Sequence, residues 1–124
     1  MFWKKKEETP SIPWQALTSL EQLEEIKKES LEQPVVIYKH STTCGISGMV
    51  MNRLERNWKE SLAHVKIYYL DLLTYRSISH AIADTFQVYH ESPQILIVKD
   101  GHAIYDASHM GISVDGIAAC VEDE

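Results

Sequence analysis

Cysteine is scarce in this chain of 124 residues, which contains only Cys44 and Cys120. Two cysteines are too few for the disulfide framework that stabilises small secreted domains, and they suit a reducing compartment. We therefore predict a cytoplasmic protein that depends on a hydrophobic core. The apolar content of 44% is that of a globular chain and excludes a disordered one.

Basic residues and long apolar runs are also few. Lys and Arg number 12 against 18 Asp and Glu, so the net charge is −6, and no basic cluster follows Lys4-Lys5-Lys6. Binding to nucleic acid needs a basic face, so we expect no such partner. No apolar segment is long enough to span a membrane, and the first residues have their apolar part before their charges, the reverse of a secretory signal. We expect no membrane partner.

Glycine and proline, with five and four residues, punctuate the chain without forming a linker, and we find no repeats. We predict a single domain over residues 1–124. Residues 1–13 form a loose arm until Ile12-Pro13-Trp14 reaches the core, where Trp14 is an apolar anchor.

The sequence pattern predicts helices and strands in the following order. The first half of the chain has a helix at about 19–32 opened by the capping box Thr18-Ser19-Leu20-Glu21, a strand at 34–39, a helix at about 45–62 and a strand at 64–72. The second half has a helix at about 76–86 capped by Thr74, strands at 94–98 and 103–105 joined by a turn at Asp100-Gly101, and a last helix capped by Ser113.

Cys44 lies between one of these strands and the helix that follows it. The β-branched run Val35-Val36-Ile37-Tyr38 precedes it, and apolar residues at helical spacing follow it at Ile46, Met49, Val50, Leu54 and Trp58. Unpaired N–H groups and the positive end of the helix dipole favour a thiolate at such a place. We therefore predict that Cys44 is nucleophilic, and a buried, inert thiol is the alternative.

Ser47 occupies the position three residues after Cys44, where a dithiol oxidoreductase carries its second cysteine. A hydroxyl can donate a hydrogen bond to a thiolate but cannot close a disulfide, so we predict a monothiol site. The segment Ser41-Thr42-Thr43-Cys44 with Ile46-Ser47 resembles the monothiol bacilliredoxins (YtxJ-like proteins), which carry a Thr-Cys-Pro-Ile-Ser motif after a strand. Gly45 stands here in place of the proline.

This resemblance spans essentially residues 14–121 and implies a thioredoxin-like fold of the α/β class. The sheet is expected to be mixed and four-stranded, with room for a fifth N-terminal strand, and flanked by helices. The resemblance also implies a thiol-disulfide oxidoreductase whose Cys44 takes bacillithiol from the mixed disulfides of client proteins. Bacillithiol is then a co-substrate, and we expect no tightly bound cofactor.

Ser92-Pro93 opens the third predicted strand and supplies the second part of the site. Most X–Pro bonds are trans, but the stretch around it resembles the bacilliredoxin segment in which a cis-proline faces the nucleophile. The resemblance implies a cis bond that leaves the backbone of Ser92 free to pair with a partner strand. The substrate contacts that we predict are Thr43, Gly45, Ile46, Ser47, Ser92, Pro93, Ser108 and His109.

Ser108 and His109 are candidates because bacillithiol carries carboxylates on its malate part, and anions are best received where N–H groups converge. Thioredoxin-like topology implies that the segment before the last helix lies at the same end of the sheet as Cys44. A loop hydroxyl and a surface histidine are the alternatives for these two residues.

For the histidines and for Cys120 we predict structural roles. The six histidines show no pair at ligand spacing on one helix, so we predict no metal site. We expect His40 to be a surface histidine at a strand end, the alternative being a source of positive potential for Cys44. We expect Cys120 to be a small core residue, with a resolving thiol as the alternative.

The sequence also leaves two alternative functions open. Cys44-Gly45-Ile46-Ser47 is one residue from the Cys-Gly-Phe-Ser motif of monothiol glutaredoxins, which carry an iron–sulfur cluster with glutathione. Those proteins have a Gly-Gly-x-Asp type segment where this chain has Asp106-Ala107-Ser108-His109. The other alternative is a redox-inactive adaptor or stress protein on a thioredoxin scaffold.

Overall fold

The computed structural model describes residues 11–122. Its strands and helices follow one another along the chain as β1 (Gln15–Ala16), α1 (Glu21–Glu29), β2 (Val35–His40), α2 (Gly45–Asn57), β3 (Lys66–Asp71), α3 (Arg76–Phe86), β4 (Gln94–Lys99), β5 (His102–Ser108) and α4 (Val114–Val121). Two short 3-10 helices lie at Glu60–Leu62 and His109–Gly111.

The five strands form one mixed sheet in the order β1-β3-β2-β4-β5. β1, β3 and β2 are parallel, whereas β4 is antiparallel to both β2 and β5. The thioredoxin-like α/β fold that we predicted is confirmed, and β1 is the additional N-terminal strand. Asp100 and Gly101 have φ values of 54° and 81°, so the predicted Asp-Gly turn joins β4 to β5.

The core consists of two layers, one on each face of the sheet. β2 is central and all six of its residues are buried. Because side chains alternate along a strand, Val36 and Tyr38 pack with α2 and α4, whereas Val35 and Ile37 pack with α1 and α3. Each aliphatic side chain buried in this way contributes about 1.5–3 kcal/mol to stability. The rigid sheet therefore fixes where the end of β2, and the Cys44 loop after it, must lie.

Some predicted details of the helices are wrong. Helix α1 ends at Glu29, and Leu31 beyond it is exposed. The predicted capping box does not form, since Gln22 rather than Glu21 accepts the Thr18 and Ser19 N–H groups, at 2.7 and 3.0 Å. The side-chain oxygen of Gln22, one position later and of the same length as Glu21, thus takes the place of the predicted carboxylate.

Helices α2 and α3 also differ from the prediction. Helix α2 stops at Asn57 rather than near 62, and a separate 3-10 helix follows. Its N-terminal apolar residues Ile46 and Met49 are exposed, whereas Ser47 and Val50 on the other face of the helix are buried. Thr74 does not cap α3; its hydroxyl donates to Asp71 at 2.9 Å.

Both chain ends agree with prediction where they are described. The expected loose arm lies largely outside the described residues, and Ile12 at its end is buried in the core. Trp14 packs on the same core, as predicted, and donates from Nε1 to Glu55 at 3.0 Å. Ser113 caps α4 by accepting the N–H of Gly116 at 3.0 Å. Among residues 11–122, no helix has the length and apolar content needed to cross a bilayer.

Candidate active site

Cys44 is the N-cap residue of α2, as the sequence predicts. Its backbone is extended, with φ −103° and ψ 118°, and its carbonyl accepts the first helical hydrogen bond from Gly48 N–H at 3.2 Å. Its own N–H donates to the carbonyl of Ser41 at 3.2 Å, which closes the turn after β2. The side chain is neither buried nor fully exposed. The sulfur is thus held by a fixed backbone and remains accessible.

The first turn of α2 presents free donors next to this sulfur. Within the described residues, the N–H groups of Gly45, Ile46 and Ser47 make no hydrogen bond. Free N–H groups at a helix start, together with the helix dipole, stabilise negative charge. These N–H groups can therefore support negative charge on a reacting sulfur or receive an anionic group of a substrate.

Ser47 plays a different part from the one predicted. It is fully buried, and its Oγ accepts the Ser41 N–H at 3.0 Å and lies 2.8 Å from Nδ1 of His40. In the part of the chain that the structure describes, no hydrogen bond joins it to Cys44. This corrects our expectation of a thiolate donor and substrate contact, because the hydroxyl faces the end of β2. Ser47 instead fixes the start of α2 against the strand.

His40 is buried rather than a surface histidine, which corrects the prediction. Only 8% of it is exposed, and burial lowers its pKa, although the carboxylate of Asp71 acts in the opposite direction. Its ring lies 5.9 and 5.5 Å from the rings of Tyr38 and Tyr69. A neutral ring can accept the Ser47 hydroxyl proton at Nδ1. His40 thus holds the first turn of α2 in place through its contact with the Ser47 hydroxyl.

Tyr38 completes this buried polar layer. Its side chain is inaccessible to solvent, and its hydroxyl donates to the carbonyl of Ser47 at 2.9 Å. Burial raises the pKa of Tyr38 to about 12, with a smaller contribution from the nearby Cys44. The phenol therefore stays neutral, and it adds no charge to oppose a thiolate.

The strand register brings the second part of the site to the same end of the sheet. Lys39 in β2 pairs with Gln94 in β4, and Gln94 pairs with Ser108 in β5. Pro93 therefore lies beside the end of β2, from which the Cys44 loop departs. The Ser92–Pro93 bond is cis, which confirms the prediction, and the Pro93 carbonyl accepts the N–H of His109 at 3.1 Å.

The segment before β4 is held from below while its outer backbone stays free. The buried side chain of Gln94 donates to the Tyr89 carbonyl at 2.8 Å and accepts the Glu91 N–H at 3.3 Å. Neither backbone group of Ser92 makes a hydrogen bond within the described residues. A free N–H and C=O at the end of a strand are what an incoming extended chain requires.

His109 has an unusual backbone and an acidic neighbour. Its φ is +54°, a region that few residues other than glycine adopt. Its Nε2 lies 3.9 Å from the carboxylate of Glu91, and both side chains are about half exposed. The histidine therefore reaches the site's rim, where Glu91 would compete with an anionic ligand. Ser108 ends β5 as a partly buried strand residue and is not in a loop.

Several apolar side chains are exposed on α2 and on the segment that packs against it. Ile46 and Met49 are 42% and 53% exposed, and Met110 after β5 is 54% exposed. Arg53 holds Met110 in place by donating to its carbonyl at 3.3 Å and to that of Ile112. Such side chains offer contact area to a protein partner.

The remaining residues singled out from the sequence differ in their exposure to solvent. Thr43, Gly45 and Ile46 are exposed beside Cys44 and are free to touch a substrate. Cys120 is partly buried on α4 and packs against the core, as we expected of a small core residue. No group of three or more His, Cys, Asp or Glu residues in 11–122 is arranged to hold a metal ion.

Sequence reasoning missed the burial of Lys39 and His40 at the end of β2. The signal was present, because these two polar side chains directly follow the apolar run Val35-Val36-Ile37-Tyr38. Polar residues are rarely fully buried without a partner or a function.

Comparison with known proteins decides the family. The sequence matches the family described as monothiol bacilliredoxin BrxC over residues 15–117. This chain belongs to that family. The matched range includes both the active-site motif around Cys44 and the cis-proline segment.

Solved structures agree on the fold. One protein with a thioredoxin fold, provisionally described as an oxidoreductase, shares 29% identity with a TM-score of 0.74, over 86% of this chain and 91% of that one. Thioredoxin from Malassezia sympodialis is 17% identical with a TM-score of 0.69, over 96% of both chains. Mitochondrial thioredoxin 3 from Saccharomyces cerevisiae is 22% identical with a TM-score of 0.63, over 88% of this chain and 93% of that one. The bacilliredoxin is therefore a thiol oxidoreductase of thioredoxin fold.

Proposed function

We propose that this bacilliredoxin removes bacillithiol from the mixed disulfides of client proteins. The observation that carries the proposal is the pairing of an accessible cysteine at the start of α2 with a buried serine hydroxyl at the position of a resolving thiol. Such a site can accept a small thiol but cannot expel it through a disulfide within the motif.

The first step is a thiol-disulfide exchange. The Cys44 thiolate attacks the bacillithiol sulfur of the mixed disulfide, a new S–S bond forms, and the client leaves as a thiolate. Free N–H groups at the start of α2 support the attacking charge. The client sulfur then takes a proton from solvent.

The second step restores the enzyme. A free bacillithiol thiolate attacks the bacillithiol sulfur held on Cys44, Cys44 leaves as a thiolate, and bacillithiol disulfide departs. The two electrons come from the second bacillithiol, so no further reductant is needed for one turnover.

The site offers a place for each part of the substrate. The free backbone groups of Ser92 suit an extended client segment, and Ile46, Met49 and Met110 offer apolar contacts around it. His109 and the N–H groups of α2 are the candidates to receive the malate carboxylates.

The decisive experiment measures intact mass after mixing the Cys120→Ala protein with one peptide in three forms, modified by bacillithiol, glutathione or cysteine. The proposal expects bacillithiol to transfer to Cys44 fastest, and Cys44→Ser to transfer none. Equal rates with all three peptides would refute bacillithiol specificity. A brown protein after anaerobic iron–sulfur reconstitution would favour a cluster carrier instead.

A second experiment tests His109 as the carboxylate contact. His109→Asn keeps a residue that tolerates positive φ but removes the imidazole, so it isolates the side chain from the backbone. We expect about a tenfold lower efficiency on the bacillithiol peptide, as for loss of one charge-assisted hydrogen bond, and little change on the cysteine peptide. Equal losses on both peptides would show that His109 supports only the local fold.

A further inference from the structure

Lys39 is a buried cation that the proposed exchange does not use. Its side chain is fully inaccessible, and within residues 11–122 no carboxylate lies within ion-pair distance of its ammonium group. A buried charge without a counter-ion is costly and is retained where its hydrogen bonds matter. The hydrogen-bond partners of Lys39 are therefore expected to have a role in the structure or in the reaction.

The ammonium group of Lys39 binds across to two other elements. It lies 3.4 Å from the carbonyl of Ser79 in α3, to which it donates, and 3.2 Å from Nδ1 of His90. The Ser79 hydroxyl lies 3.2 Å from the same nitrogen. An ammonium group has no lone pair, so Nδ1 must accept the hydrogen bond and His90 must be neutral.

His90 belongs to the segment that presents the cis-proline. It stands two residues before Ser92, and the neighbouring Tyr89 and Glu91 are held by Gln94, which lies beside Lys39 in the sheet. Two adjacent buried side chains, Lys39 and Gln94, thus tie residues 89–91 to the end of the sheet that carries Cys44. The backbone of Ser92 makes no hydrogen bond of its own, so its position depends on these contacts on one side and on the bond between Pro93 and His109 on the other.

We propose that Lys39 and His90 are positioning residues for thiol exchange: their hydrogen bond holds segment 89–93 so that Ser92 and Pro93 meet a mixed disulfide bound at Cys44. The inference deepens the proposed function by assigning the regulation of docking at that site. Lys39 and His90 act through the backbone of Ser92 and do not touch the reacting sulfurs.

The contact is sensitive to pH because its partners are both bases. Burial lowers the pKa of Lys39 to about 8. Burial, and then the charges of Lys39 and His80, lower the pKa of His90 below 6.5, while Glu91 opposes them. Besides these groups, Asp84 and Tyr89 line the same surface cavity as His90. As pH falls through the lowered pKa of His90, protonation removes the acceptor and places two cations 3.2 Å apart, which releases the segment.

The test separates docking from the reactivity of Cys44. For each variant we take the ratio of kcat/KM on a peptide mixed disulfide to the rate of Cys44 alkylation by iodoacetamide at the same pH. Both rates depend on the thiolate, so its ionisation cancels in the ratio. The variants are Lys39→Met, which removes the ammonium group, and His90→Asn, which keeps an acceptor at the Nδ1 position but does not titrate. His64→Asn, at an exposed histidine before β3, is the matched control.

We expect the wild-type ratio to fall as pH decreases from 7.5 to 5, and the His90→Asn ratio to stay level. Lys39→Met should lower the ratio at pH 7 by about threefold to tenfold, a partial loss of a charge-assisted hydrogen bond. His64→Asn should behave as wild type. The proposal is overturned if His90→Asn keeps the acid decline, or if Lys39→Met leaves the ratio unchanged.

Failure of the proposed function can be distinguished from failure of the positioning role. If only a glutathione-modified peptide is reduced, the bacillithiol assignment is wrong and the ratio is measured on that peptide. A second readout needs no turnover: in NMR titrations, the amides of Glu91 and Ser92 should follow His90 protonation in wild type and lose that inflection in His90→Asn. Amides that do not respond in wild type would overturn the positioning role.

Discussion

Replacing Gly45 by proline should stabilise this protein, although proline usually disrupts helices. Gly45 is the first residue of α2, where proline is favoured because that N–H has no helical partner. Cys44 already has the extended backbone, φ −103° and ψ 118°, that a residue before proline prefers. A Cβ added at Gly45 would meet no atom within 4 Å. Neither the space at the Cβ position nor the backbone of the preceding residue therefore opposes proline.

The gain comes from the unfolded chain, which loses more freedom with proline than with glycine. Substitutions of this kind contribute about 0.4–1 kcal/mol. With about 2.1 cal/mol/K of unfolding entropy per residue, 124 residues give a rise in Tm of about 1.5–4 °C. Alkylation of Cys44 should slow, since one of three free N–H groups beside the sulfur is removed. Thermal unfolding followed by circular dichroism, with iodoacetamide kinetics, measures both effects.

Gly48→Pro is the matched control, three residues further along α2. The Gly48 N–H makes the first helical hydrogen bond, to the Cys44 carbonyl at 3.2 Å. Proline there removes that bond and clashes with the carbonyl, which should cost about 3 kcal/mol. A lower Tm for Gly45→Pro, or a tolerated Gly48→Pro, would refute the reasoning, because α2 would then begin at another residue.

Three further predictions follow from the same geometry. Ser47→Cys should form an internal disulfide with Cys44, one helical turn away, so that one thiol of three remains titratable after oxidation. Glu91→Gln removes the carboxylate 3.9 Å from His109 and should speed reduction of a bacillithiol-modified client by about 1.5-fold to fivefold, the range for a surface ion pair. The lowered pKa of His40 contributes stability that is present above pH 6.5 and is lost as pH falls through the folded pKa, so His40→Asn should show a shallower decline in urea denaturation between pH 7 and 5.

Each of these predictions has an outcome that contradicts it. Three titratable thiols in oxidised Ser47→Cys would mean that the side chain at this position cannot reach Cys44. An equal gain for Glu91→Gln on a cysteine-modified client would show that the carboxylate does not oppose the malate group. An unchanged slope for His40→Asn would assign the acid sensitivity to other groups, with His90, whose pKa is also lowered, as the next to test.

The strand–helix placement of Cys44 was predictable from local pattern. A β-branched run, a polar turn and helical spacing after it are properties of neighbouring residues, and they fix the N-cap position without any long-range contact. The Asp100-Gly101 turn and the Ser113 cap were predictable for the same reason. The Thr18 capping box failed because two acceptors compete for the same donors, and only the final geometry selects Gln22.

The direction of the Ser47 side chain could not be predicted from the motif. Its spacing from Cys44 shows that it cannot close a disulfide, but not that its hydroxyl turns away to His40 and Ser41. That choice depends on the end of β2, which is packed against the first turn of α2.

By itself, the sequence determined the monothiol chemistry, the order of helices and strands, and the family. These depend on residue identity and on spacing along the chain. Only the tertiary structure decided which polar residues lie beneath the site: His40 against Ser47, and Lys39 against His90 across 51 positions of sequence. The physical reason is that a sheet brings distant segments together by strand register, and a buried polar group must then bond to whatever that register places beside it.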